Sequence, residues 1–325
     1  MVQIMLIFLC INLISPKIGS YGVYANDEFF APLERMLSET DPIFIPDKYD
    51  NHGKWMDGWE TRRRRTPGFD WCLIKLGCTG TIKNIEINTK FFTGNYPPYA
   101  EIEGIYSEEQ PDENDENWKT ILNKKSIQGD AVNNFNAESE NIFNWVKLKI
   151  FPDGGVARLR LWGDVFVDWD RISKKQILEL SALNNGGKII SYNNAHYGDV
   201  SAILSYGRGK NMGDGWETRR RREPGNDWLI IKLGKKGFLT KAEVDTAFFK
   251  GNYPESCSIE AINTDDISKV KDENWITIIP KSILYADKVH NFSIEAKFNS
   301  TEFSHVKLNI FPDGGVSRLR IFGHI

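Results

Sequence analysis

Apolar residues along this chain recur at every second position over short stretches, the period of half-buried β-strands. Val146, Leu148 and Ile150 alternate with Lys147 and Lys149. After the turn sequence Pro-Asp-Gly-Gly at 152–155, Ala157, Leu159 and Leu161 alternate with Arg158 and Arg160. Cys72, Ile74 and Leu76 oppose Trp71, Leu73 and Lys75 in another short strand, and Ile85 and Ile87 flank Glu86 in a third. Helical spacing is confined to one stretch, residues 173–180. Many short strands separated by turn residues predict an all-β fold, a sandwich or jelly roll.

The pattern occurs twice. Gly-Trp-Glu-Thr-Arg-Arg-Arg-Arg at 58–65 returns unchanged at 215–222. Asp70-Trp71 returns as Asp227-Trp228, and residues 89–97 match 246–254 at seven of nine positions. Phe-Pro-Asp-Gly-Gly-Val-Ala-Arg-Leu-Arg at 151–160 returns at 311–320 with one change, Ala157 to Ser317. A weaker match joins Gly19, Tyr24 and Asn26 to Gly187, Tyr192 and Asn194. Each copy has the length of a domain and is too long for a solenoid unit. The expected organisation is an extension at 1–10, a first copy at 11–165, a linker at 166–180 and a second copy at 181–325.

Composition agrees with two globular domains in 325 residues: 41% hydrophobic and 26% charged, enough apolar material for two cores. The net charge of −3 lacks the basic excess of a nucleic-acid footprint, so no nucleic-acid partner is expected. Cys10, Cys72, Cys78 and Cys257 form no C-x-x-C pair and read as reduced thiols. Residues 1–14 are apolar like the h-region of a signal peptide, but no basic residue precedes Lys17, and cleavage near Ser20 would cut into the first copy. The run is too short for a membrane span, so no membrane partner and a cytoplasmic location are expected. The carboxy-terminal Phe-Gly-His-Ile is not a peroxisomal address.

Three blocks could carry chemistry. In an extended strand, Arg62 and Arg64 would share one face, beside Asp57, Trp59 and Glu60; a solvated charge run is the bland reading. Arginine, with its planar fork, suits bidentate carboxylate binding. In the second block, Asp153 with Arg158 and Arg160 would place an acid and two cations on one edge, or Asp153 simply caps its turn. In the third, Asn95 and Tyr96, repeated as Asn252 and Tyr253, could donate hydrogen bonds or merely turn the chain. No histidine pair has metal-ligand spacing, and there is neither a nucleophile elbow nor a P-loop.

Residues 54–65, 70–77 and 91–97 resemble the first repeat of the allantoicase family, and Asp-Glu-Phe-Phe-Ala-Pro at 27–32 resembles its N-terminal signature. Residues 212–218 and 311–315 are similar to its second repeat. The resemblance implies two tandem jelly-roll, galactose-binding-like β-sandwich domains. It also implies hydrolysis of a small ureide, allantoate, to ureidoglycolate and urea in purine degradation, and a homo-oligomer. One departure is Phe69, where the family pattern often has histidine; the second copy has Asn226 there. The substrate implied has one carboxylate and two ureido groups on one carbon. Arg62, Arg64, Arg158 and Arg160 with Trp59, and their counterparts Arg219, Arg221, Arg318, Arg320 and Trp216, are then the substrate-binding candidates. Asp57, Glu60 and Asp153, with Asp214, Glu217 and Asp313, are the catalytic candidates, as acceptors of ureido N–H groups and proton donors. Such a reaction needs no redox cofactor, and no metal cage is evident. The alternative is a non-catalytic jelly-roll binding protein or an inactive relative.

Overall fold

A computed structural model of the chain describes residues 10–325. Residues 1–9 of the expected extension, and of the apolar run, lie outside them. The chain divides into two compact units, Cys10–Val167 and Asp168–Ile325. Both are all-β with short 3-10 turns, and the architecture is two tandem jelly-roll sandwich domains.

In the first domain one strand, Asp70–Asn88, runs through both layers of the sandwich. Its first half pairs with Ile142–Phe151 on one side and Tyr21–Ala25 on the other. Its second half pairs with Arg158–Val165 and Val132–Asn136. Tyr99–Ile105 and Lys119–Ser126 extend the first layer, and Ile11–Asn12 edges the second. The two short strands read around Cys72 and Ile85 are therefore one. Polar and glycine residues at 77–81 mask its continuity in sequence, because there the strand leaves one layer for the other and its register with Ile142–Phe151 shifts.

The second domain repeats this plan around Asp227–Asp245. Its edge strand, Leu178–Glu179, pairs with Arg318–His324. The stretch with helical spacing, 173–180, forms no helix; the segment read as a linker holds only the 3-10 turn Trp169–Arg171 and already contributes a strand of the second sandwich. The weak repeat match is also out by one. Asn26 and Asn193, not Asn194, each accept an N–H bond from the tryptophan after the buried aspartate, Trp71 and Trp228.

Alternation explains the cores. Cys72, Ile74, Val146, Leu148, Ile150, Leu159 and Leu161 are buried between the layers of the first domain. Leu13 and Ile14 join them, just after the edge strand that begins at Ile11. Among the described residues no helix is long and apolar enough to cross a membrane. All four cysteines are free thiols. Burial pushes Cys78 and Cys257 up to about 12, so these two are inert thiols.

Candidate active site

The three repeated blocks meet at one end of each sandwich, and most of their residues are spent on locking them together. In the second domain Thr218 N–H donates to Gly314 O, and Gly314 N–H donates back to the Thr218 hydroxyl. Gly315 N–H donates to Asn252 O. A Cβ on Gly314, whose φ is +139°, would lie 2.6 Å from Pro254 N. Glycine is therefore required where the turn touches the Asn252–Tyr253 loop. Trp216 is fully buried and donates from its indole to Asn194 O. The first domain has the same lock through Thr61, Gly154, Asn95 and Trp59.

This lock overturns several expectations. Trp59 and Trp216 are core residues with no face toward solvent. Arg158 is fully buried: it pairs with Asp57 at 2.7 Å and donates to the carbonyls of Arg35, Thr40 and Asp57. Arg318 repeats this with Asp214 at 2.8 Å. Arg160 donates to the carbonyls of Ser38 and Glu39, and Arg320 to Glu179 and Gly207 O. These four arginines and two aspartates are engaged by partners within their own domain.

The arginine run is not a strand beyond Glu60 or Glu217. Its backbone N–H groups are instead captured by side chains. Arg219 N–H donates to Asn194 Oδ1, and Arg221 N–H donates to Asp313 Oδ2 at 2.8 Å. The side chains consequently part company. Arg221 turns inward to the buried Asp227, while Arg219 ion-pairs with Glu223. Arg64 and Arg62 likewise go to different acids, Asp70 and Asp27. The expected shared face of Arg62 with Arg64 does not form.

A cleft of about 700 Å³ opens beside these blocks in the second domain. Glu217 and Asp313 face it, with Asn252 and Tyr253 beside them and Arg219 and Arg220 at the rim. Asn252 Nδ2 donates to Glu217 Oε1 and so fixes that carboxylate. Arg220 makes no ion pair among the described residues, which leaves its guanidinium for an anion. His196, Tyr197 and Tyr285 complete the wall, the first two in edge-to-face contact at 4.3 Å. The first domain differs at these places. Phe30 stands where His196 does, since each donates its N–H to the carbonyl of the block's glutamate. Asp27 replaces Asn194 and takes Arg62 as its partner. Glu60 is buried, and desolvation pushes its carboxyl above the usual range against the hydrogen bond from Asn95.

Arg220, His196, Tyr197 and Tyr285 were not found by reading the sequence. A strand would point Arg220 away from Arg219 and Arg221, and the other three lie outside the repeated blocks. Phe69 packs against Phe151 with ring centroids 5.2 Å apart and carries no titratable group to the first domain's block. Among the described residues no three His, Cys, Asp or Glu side chains converge as metal ligands.

The family model for the allantoicase repeat matches residues 11–166 and again 178–325. A probable allantoicase of Burkholderia mallei is 46% identical, over 96% of this chain and 94% of that protein. The allantoicase of Dictyostelium discoideum is 45% identical, over 96% of this chain and 86% of its own length. The crystal structure of allantoicase from Saccharomyces cerevisiae superposes with a TM-score of 0.81 at 36% identity, covering 97% of this chain and 93% of that one. With both repeats matched and relatives aligned over nearly its whole length, the chain belongs to the allantoicase family.

Proposed function

We propose that the chain hydrolyses allantoate to ureidoglycolate and urea, and that the cleft of the second domain is where it does so. The activity is the one the relatives are named for, at 43–46% identity over nearly the full length. The observation that carries the site is the meeting of an uncommitted guanidinium, Arg220, with two partly buried carboxylates, Glu217 and Asp313, on one cleft.

Each part of the substrate has a counterpart there. Arg220 holds the carboxylate through its paired N–H donors. Glu217, aimed by Asn252, acts in its acid form: its carbonyl oxygen accepts a ureido N–H while its hydroxyl proton goes to the departing nitrogen. Solvent exchange restores that proton after each turnover. The bond from that nitrogen to the central carbon breaks with its electron pair leaving on nitrogen, so neutral urea departs. A water oxygen bonds to the same carbon, and its proton passes to Asp313. General acid–base help of this kind contributes roughly 10²–10⁴-fold to rate. Asp57, Asp153 and Glu60 keep structural roles in the first domain on this reading.

A cytoplasmic location is part of the proposal. Removing residues up to Ser20 would take away the edge strand Ile11–Asn12 together with the buried Leu13 and Ile14. A homo-oligomer is also part of it, tested by light scattering of the purified chain, with a monomer mass as the contrary result. The activity itself is tested by urea release from allantoate with purified full-length protein; well-folded protein that releases none, with or without divalent metal, would leave the binding-protein reading in its place.

A further inference from the structure

Tyr285 is held on the cleft wall by its backbone at both ends. Its carbonyl accepts from the Thr246 hydroxyl at 2.6 Å. Its N–H donates to Nε2 of His290 at 2.8 Å. A backbone N–H can only donate, so Nε2 carries no proton. Nδ1 therefore bears the hydrogen, and it lies 3.1 Å from Val244 O, a carbonyl that can only accept. The imidazole is buried and held as one neutral tautomer, and its ring is parallel to that of Tyr285, with centroids 6.0 Å apart.

The first domain solves the same problem with an amide. Asn133 occupies the matching strand position: it accepts from Gln128 N–H at 2.9 Å and donates to Ile87 O at 3.1 Å. Thr89 holds Gln128 O as Thr246 holds Tyr285 O. Both repeats thus fix this loop by one acceptor and one donor on a single side chain. Only the second repeat uses an imidazole for this, and only there does the loop present a tyrosine.

We propose that His290 is a positioning residue for substrate binding in this cleft: its imidazole, bonded to Tyr285 N–H on one side and Val244 O on the other, sets the Tyr285 wall. This rests on the second-domain cleft being the active site. Charged groups near His290 are Lys241, Glu243 and Asp245 on the adjoining strand and Asp287 and Lys288 in the turn. Arg208 reaches both aspartates, and Lys288 lies over the Tyr285 ring at 5.1 Å. None of these supplies a replacement acceptor to Tyr285 N–H in the structure.

The test compares His290→Asn, His290→Leu, Tyr285→Ala and the double variant His290→Leu/Tyr285→Ala in full-length protein, by steady-state urea release from allantoate between pH 5 and pH 8. His290→Asn keeps both bonds, as Asn133 does, and is expected to hold KM within about twofold across the range. Wild type should match it. His290→Leu should raise KM about tenfold at every pH with a smaller change in kcat. Tyr285→Ala should raise KM similarly, and the double variant no further, because both act through one wall. An unchanged KM in His290→Leu would overturn the proposal, and if its melting temperature also falls the residue is structural only. Glu217→Gln in the same assay separates the two levels: if it retains full turnover the cleft itself is wrong, and if it is inactive those outcomes bear on His290 alone.

Discussion

Asp57 accepts a hydrogen bond of 2.7 Å from Nη2 of Arg158, an arginine with no exposed surface. The pair ties the loop before the Trp-Glu-Thr-Arg block to the strand after the Pro-Asp-Gly-Gly turn, and Asp214 with Arg318 repeats it. Two of the most conspicuous charges in the repeated blocks are therefore buried framework. Removing one member of a buried pair leaves the other uncompensated, at about 3–5 kcal/mol. Asp57→Ala is expected to lower the denaturant midpoint by a corresponding amount, while turnover per folded molecule stays near wild type.

Neighbouring arginines should separate cleanly. Arg221 pairs with Asp227, which is 1% exposed, so Arg221→Ala strands a buried carboxylate and destabilises the second domain. Arg220 is exposed and free, so Arg220→Ala should shift stability by less than about 0.5 kcal/mol. Its effect should fall on KM for allantoate. Thermal melts beside kinetics on both variants check this.

Glu60 gives a pH prediction of known sign. Desolvation raises its folded pKa above the unfolded value, so the folded state binds the extra proton. Its favourable contribution is present at low pH and is lost as pH rises through the raised value. Glu60→Gln keeps a carbonyl for Asn95 and removes the buried charge. It should melt above wild type at neutral pH, with the difference vanishing below about pH 4.

His305 has the opposite sign. Burial, helped by the charge of Lys232, pushes it down to about 4 from 6.5. Unfolded chains take up that proton near 6.5 and folded ones only near 4. Stability from the neutral ring is therefore complete above 6.5 and is lost as pH falls between the two. His305→Phe should lose less melting temperature than wild type between pH 7.5 and pH 5.

The fold was largely legible because its signal is periodic. Val146, Leu148 and Ile150 announce a strand at once, and the identical blocks announce two copies. The continuity of Asp70–Asn88 was hidden, since a strand that changes layers interrupts its own alternation at 77–81. The site was less legible, because repetition marks what both copies need, and both need the lock. Trp59, Arg158 and Gly154 recur for packing. Arg220 recurs too, but its freedom depends on where the backbone N–H groups of Arg219 and Arg221 are captured. His196 and Tyr285 recur not at all, being where the second domain departs from the first.

The most direct test of the account is urea release by Glu217→Gln beside Glu60→Gln, two equivalent residues in the two domains. Loss of about 10²-fold or more in kcat for Glu217→Gln, with Glu60→Gln near wild type, is the predicted result. Full activity in Glu217→Gln with loss in Glu60→Gln would contradict it and place the chemistry in the first domain.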